Sequence, residues 1–204
     1  MSVNSTDLRI VRTRESIRDV LVDLIDEKSF DAITVKDITN KAGINRGTFY
    51  AHYQDKFDLV ATYEDEIIAE MAGIAKQSIR EFISGANPDS SIAFPLAVRL
   101  FECFNENGEF LRAMLSPKGD LLFQTRLKEF MWETLFNDDS GDAIFSEDKI
   151  LVPGEYLASY IASAHLGVIQ QWLDTGKKES PEEMAHILFM ITVNGPFYAA
   201  GLKK

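Results

Sequence analysis

The chain has 204 residues, 46% hydrophobic and 26% charged, a composition that supports a packed core and argues against disorder or a stapled miniprotein. Its one cysteine, Cys103, excludes an intramolecular disulfide and a cysteine-rich zinc module. No window approaches about 18 uninterrupted apolar residues, so no membrane span is expected. The opening Met-Ser-Val-Asn-Ser-Thr-Asp lacks the basic and apolar regions of a secretory signal, and a cytoplasmic protein is expected.

The formal net charge of −11 argues at first against nucleic acid. Its distribution matters more. Residues 1–60 hold 9 Lys/Arg against 10 Asp/Glu, whereas residues 61–204 hold 12 against 22. Arg9, Arg12 and Arg14 face a single early acid, Asp7. A basic N-terminal end on an acidic body can dock on DNA in one orientation.

The pattern is helical throughout. Ile17, Val20, Leu21, Leu24 and Ile25 form one apolar stripe at helical spacing. Thr34 opens a short helix, with Asp37 three residues on as a capping-box partner, and Gly43 ends it in a left-handed conformation. Asn45 caps a second short helix that carries Phe49 and Tyr53 on its buried side. A long fourth helix is expected from about Asp55 to Ser84, with Gly73 as its internal weak point, and a turn follows over 85–91. Further helices are expected over 92–106, 108–115 and 119–136, then an acidic loop over 137–149. Two final helices, 151–174 and 181–201, complete the chain; Ser180 is the N-cap of the second, with Pro181 at its first position. No repeat and no strand is evident.

The chemistry lies in T-V-K-D-I-T-N-K-A-G-I-N-R-G-T-F-Y-A-H-Y, residues 34–53. Two short helices across a tight turn form a helix-turn-helix, which places its second helix in a major groove. With Phe49 and Tyr53 inward, Arg46, Gly47, Thr48, Tyr50 and His52 fall on or beside the outward surface. Gly47 costs about 1 kcal/mol of helix propensity against alanine, understandable where a side chain would obstruct approach to a base. Arg46 suits guanine O6 and N7, and Thr48 suits a base edge or thymine methyl. Tyr50, His52 and Lys56 have the reach for phosphates. An ordinary helix pair within a bundle fits the same pattern, and from the pattern alone both readings stand.

The stretch from about Arg12 to Tyr63 resembles the N-terminal domain of the tetracycline-repressor (TetR) family of bacterial transcription regulators. The specific part is A-G-x-x-x-G-T-F-Y-x-H-Y-x-x-K, from Ala42 to Lys56. The resemblance implies base or near-base contacts from Arg46, Gly47, Thr48 and Tyr50, and phosphate contacts from Thr34, His52 and Lys56. Asn45, at the head of the reading helix, is grouped with these DNA-facing residues.

The rest is less specific, with a likeness to a C-terminal type of Gram-positive regulators through N-G-E-F-L-R-A-M-L-S-P-K-G-D (107–120) and W-L-D-T-G-K-K-E-S-P-E-E-M-A (172–185). The family pairs its last two long helices with their symmetry mates. Here that implies a homodimer interface including Tyr160, Ile169, Trp172, Ile187 and Ile191. Some of these side chains must instead cover the subunit's own core.

An effector pocket is the other expectation. Phe101, Phe104, Phe123, Phe130 and Met131, with Phe94 and Trp132, could line an apolar cavity, with His165, Arg99 or Arg126 as polar anchors. The same residues also make a plain core. In the family, ligand binding alters the long fourth helix and with it the separation of two reading heads.

Catalysis has no support. His52, His165 and His186 lack metal spacing, and neither a nucleophile elbow nor a phosphate-binding glycine loop is present. No enzyme activity, metal or cofactor is expected.

The expected protein is therefore all-α. An N-terminal three-helix DNA-binding domain (1–60) with a helix-turn-helix would precede a larger helical effector and dimerisation domain (61–204). Its partners would be a double-stranded DNA operator, a second copy of itself and a small-molecule effector, with no membrane. The expected activity is a repressor released by that effector. The alternative is a co-regulator or activator working through a protein partner, which the acidic balance of the second region would also suit.

Overall fold

The computed structural model describes residues 5–83, 93–136 and 150–202. Among these the chain is helical, with no strand. The helices are α1 (Ser5–Glu27), α2 (Val35–Lys41), α3 (Arg46–Tyr50), α4 (Lys56–Ile83), α5 (Ala93–Glu106), α6 (Gly108–Leu115), α7 (Leu121–Phe136), α8 (Gly154–Asp174), α9 (Pro181–Asn194) and α10 (Pro196–Ala199), with a 3₁₀ turn at Phe30–Ala32. The expected turn at 85–91 and acidic loop at 137–149 lie outside the described residues.

The fold divides into two compact units: Met1–Asp65 with Glu109–Phe123, and Glu66–Gly108 with Gln124–Lys204. The first unit is built on the stripe of α1. Ile17, Leu21, Leu24 and Ile25 are buried beside Ile33, Ile38, Phe49, Tyr53, Leu59 and Val60. Its core also holds Phe110, Leu111, Met114 and Phe123, and the Phe110 ring lies near those of Tyr63 (5.7 Å) and Phe123 (6.4 Å). This grouping cuts across a linear division at residue 60. The apolar face of α6 is buried in this unit, and Arg112 forms a bidentate pair with Asp26 of α1 (3.1 and 2.6 Å). That pair and its hydrogen bonds hold the Asp26 carboxyl below its ordinary range.

In the second unit α5 packs along α9, where Phe94 meets Phe189 edge to face at 6.0 Å. Phe101 stands edge-on to both Phe104 (5.8 Å) and Trp172 (5.3 Å). Helix α8 ends in a Schellman motif: Lys177 N donates to Trp172 O (2.9 Å) and Gly176 N to Leu173 O (3.2 Å), with Gly176 at φ +82°. Ser180 and Glu183 then form a full capping box at the head of α9.

One expectation fails here. The helix over 181–201 breaks after Asn194, because Gly195 takes φ +88° and Pro196 starts the separate α10. Proline has no N–H for the helix ladder and its ring clashes with the preceding turn. Phe57, at the start of α4, is exposed and meets Phe30 edge to face at 5.5 Å.

Two glycines should respond in opposite directions. A Cβ on Gly119 would overlap the backbone carbonyls of Ala113 and Met114, whereas one on Gly73, within α4, meets nothing within 4 Å. Gly119→Ala should destabilise by about 1–3 kcal/mol, and Gly73→Ala should stabilise by about 0.5–1 kcal/mol. Thermal unfolding followed by circular dichroism checks both, and equal midpoints would contradict the assignment.

Candidate nucleic-acid interface

The site begins with the end of α2. Gly43 N donates to Asn40 O (3.3 Å) and Ile44 N to Thr39 O (3.0 Å), a Schellman closure that needs the φ of +65° at Gly43. The next residue, Asn45, already caps α3: its Oδ1 accepts from Thr48 N (2.7 Å) and from the Thr48 hydroxyl (3.2 Å). Stop and start signals thus follow one another with no slack. The direction of α3 relative to α2 is fixed by backbone hydrogen bonds.

Helix α2 is held as firmly at its other end. The Thr34 hydroxyl accepts from Asp37 N (3.2 Å), while Asp37 Oδ2 accepts from Thr34 N (2.9 Å) and lies 2.9 Å from Lys28 Nζ. The Thr34 hydroxyl, Lys28 and the Thr34 N–H together hold the Asp37 carboxyl far below its ordinary range.

On this frame Arg46 and Gly47 are exposed and Thr48 is half-buried, with Phe49 fully buried behind them. Tyr50 is 54% exposed, its ring edge-on to Phe49 at 5.6 Å. A Cβ on Gly47 would come 3.1 Å from Asn45 Oδ1, so the glycine leaves room for the cap. His52 is half-buried against Tyr53, ring centroids 6.1 Å apart.

Lys56 is less free than its sequence position suggests. Its Nζ donates to Phe30 O (2.8 Å) and Asp31 O (2.9 Å) and stands over the Phe30 and Phe57 rings. Two of its three donors tie α4 to the 3₁₀ turn, and burial lowers its pKa. Beneath the site, Arg14 Nε donates to Tyr53 OH (3.2 Å), which donates to Tyr63 OH (3.2 Å), which donates to Arg14 O (2.7 Å). Burial and the Tyr53 contact push the Tyr63 phenol well above its usual range. Sequence reasoning passed over Lys36, which is exposed in the same first turn as Thr34 and has no carboxylate partner among the described residues. Its position two residues after the cap was the available signal.

The residues expected around an effector are divided between the two units. Phe123 belongs to the first unit. Phe101 and Phe104 are packed core residues of the second, and Phe130 and Met131 are half-buried there. His165 Nε2 lies 3.0 Å from the Thr192 hydroxyl, and burial pushes its pKa down to about 4. Burial raises the Cys103 thiol to about 12, as expected of a small core hydrophobe.

The dimer residues divide in the same way. Trp172 and Ile169 are buried within the subunit, and Trp172 Nε1 donates to Glu179 O (3.0 Å). Tyr160 and Ile187 are exposed, as is Tyr156, and Ile191 is half-buried. Among the described residues, no cluster of three His, Cys, Asp or Glu side chains is placed to hold a metal, and no helix is long and apolar enough to cross a membrane.

A capped two-helix turn presenting an exposed Arg46-Gly47 edge defines the class: a helix-turn-helix protein. Residues 17–63 match the family described as bacterial regulatory proteins, tetR family, and residues 93–194 match its transcriptional regulator C-terminal region. The chain belongs to the TetR family of DNA-binding transcription regulators. It is 42% identical over 181 residues to YxbF of Bacillus subtilis, an uncharacterized HTH-type transcriptional regulator, covering 88% of this chain and 44% of that one. The chain spans about half the length of the curated relatives it matches. Among solved structures, a putative TetR-family regulator from Syntrophomonas wolfei superposes with TM-score 0.61 at 20% identity, over 94% of this chain and 97% of that one. FadR of Bacillus subtilis, solved in complex with stearoyl-CoA, superposes with TM-score 0.52 at 14% identity, over 89% and 98%.

The Asp37 carboxylate yields a signed prediction. Its depressed pKa contributes stability that is present above the unfolded-state value of about 4 and is lost as pH falls through the folded value. Asp37→Asn should therefore unfold earlier than the wild type at neutral pH, and the two midpoints should converge in acid. A difference that widens on acidification would refute the pairing.

Proposed function

We propose that the chain is a homodimeric repressor that occupies a two-fold-symmetric DNA operator and leaves it when a small-molecule effector binds. In this reading residues 1–60 read the DNA, and residues 61–204 dimerise and sense the effector in a cytoplasmic setting. The observation that carries the proposal is the α3 edge. Arg46, Gly47 and Tyr50 are exposed on a helix whose start is fixed by Asn45 and whose back is anchored by Phe49.

Arg46 lies at the first position of α3 and has no carboxylate partner among the described residues. Its guanidinium fork is therefore available for a guanine edge. Thr48 spends its hydroxyl proton on the cap and retains lone pairs and a methyl group for a base. Tyr50, Thr34, His52 and the remaining donor of Lys56 would set register through phosphates. A pair of such heads related by two-fold symmetry would meet half-sites about one DNA turn apart. The exposed Tyr160 and Ile187, with Tyr156 beside them, supply an apolar face for the second copy.

The fold accommodates an acyl-CoA in the FadR structure, which supports effector release as the mode of control. An effector would act by stabilising one of two dimer geometries, and it would shift occupancy only by its differential affinity for them.

Selection of bound sequences from a random DNA pool tests the core of the proposal. Recovery of a palindromic site is expected, and failure to enrich any sequence with a folded dimer would overturn it. Arg46→Ala should relax specificity at one base position per half-site by about 1–3 kcal/mol. Should the variant select the wild-type consensus unchanged, Arg46 is not a base reader.

A further inference from the structure

Helix α1 begins at Ser5, twelve residues before the match to the family's DNA-binding region starts at residue 17. Those early turns carry the three arginines Arg9, Arg12 and Arg14, and the structure separates them by function. Arg14 turns inward with Ile17 and Leu21, at i, i+3 and i+7, and its Nε is bound to Tyr53 OH. Arg9, Arg12, Thr13 and Ser16 share the neighbouring face. With Leu8 they line an open groove of about 400 Å³, whose far side is Ile44 of the α2–α3 turn. Ile44 directly precedes the Asn45 cap and Arg46.

The charges of the first unit point the same way. Lys28 is paired with Asp37, Lys41 with Asp23 and Glu27, and Arg112 with Asp26. Lys56 gives two of its three donors to carbonyls, and Lys118 donates to the Asp26 carbonyl. Arg9 and Arg12 are exposed and have no carboxylate partner among the described residues, and no acid lines their groove. Arginines left unpaired in an acidic protein, beside the entry to its reading helix, are suited to a polyanion.

We infer that Arg9 and Arg12 form a second backbone-binding strip on α1, which takes DNA phosphates beside the bases read by α3. Two guanidinium groups within one helical turn present forked donors to neighbouring phosphates. Such contacts add affinity and register and carry no sequence information. The strip lengthens the footprint of the reading head with residues outside the family's matched region. The inference rests on the DNA-reading proposal above.

The test compares wild type, Arg9→Gln/Arg12→Gln and Arg9→Lys/Arg12→Lys on the selected duplex by fluorescence anisotropy across a salt series. Each lost phosphate contact lowers the log–log salt slope by about 0.9, so the glutamine variant should lose about 3–4 from the slope of a dimer and bind about tenfold or more weakly. The lysine variant should keep most of the slope. Its sequence preference and that of the glutamine variant should remain those of the wild type. Circular dichroism melting separates a charge effect from an unfolded helix: equal midpoints with a reduced slope support the strip. A glutamine variant with wild-type slope and affinity removes the inference alone. A wild type that binds no duplex at any salt removes the DNA-reading proposal and this strip with it.

Discussion

Every outward group of α3 depends on the closure of one turn. Gly43 at φ +65° lets α2 end by two backbone hydrogen bonds, and Asn45 begins α3 two residues later. An L-residue with a side chain at position 43 would carry the left-handed penalty. The consequence would not be local, because five residues of α3 have too few internal hydrogen bonds to persist alone. They are held by the cap in front and by the buried Phe49 behind. Gly47 belongs to the same constraint, since its missing Cβ keeps Asn45 Oδ1 free to accept from Thr48.

Charge is handled by a comparable economy. The whole chain is acidic at −11, which would repel DNA if charge acted as a sum. Within the first unit, however, acids are matched to particular cations: Asp37 to Lys28, Asp23 and Glu27 to Lys41, Asp26 to Arg112. Most of these pairs are exposed enough that each contributes little stability. Their larger effect is spatial. Pairing removes positive charge from the sides of the unit and leaves it at Arg46, Lys36, Arg9 and Arg12. With a Debye length of about 8 Å at physiological salt, such local arrangements act at short range and the summed charge of the chain does not decide them.

The signals legible in the sequence were those that act within a few residues. Thr34 with Asp37, Gly43, Asn45 and Ser180 each mark a helix end by chemistry that requires no neighbour, and each occupies the expected position. Pro196 was equally local and should have ended the last helix; a strong apolar period on both sides of it concealed the break. What stayed hidden was which partner a buried face meets. A helical period places Trp172 and Phe123 on apolar faces, but it does not say that Trp172 packs on Phe101 of its own subunit. Nor does it say that Phe123 joins Phe110 in the first unit. Lys56 shows the same limit for a polar group. Its spacing from the motif suggested a phosphate ligand, while the two carbonyls it binds come from a turn 25 and 26 residues away.

The discontinuous first unit has a mechanical meaning for a regulator. Its core is completed by Glu109–Phe123, a segment whose chain neighbours on both sides, through Gly108 and from Gln124, belong to the second unit. Helix α4 likewise runs from one unit into the other without a break at Asp65. The backbone therefore passes between the units three times, where a simple fusion of a reader to a sensor would need one passage. Each passage is a helix or a helix end. The unit that holds the core behind Phe49 and Tyr53 is thus joined to the other by three covalent connections. The Asp26–Arg112 pair fixes one of them, α6, onto α1 itself. Burying α6 in the core of the first unit ties the Glu109–Phe123 segment to the packing behind Phe49 and Tyr53.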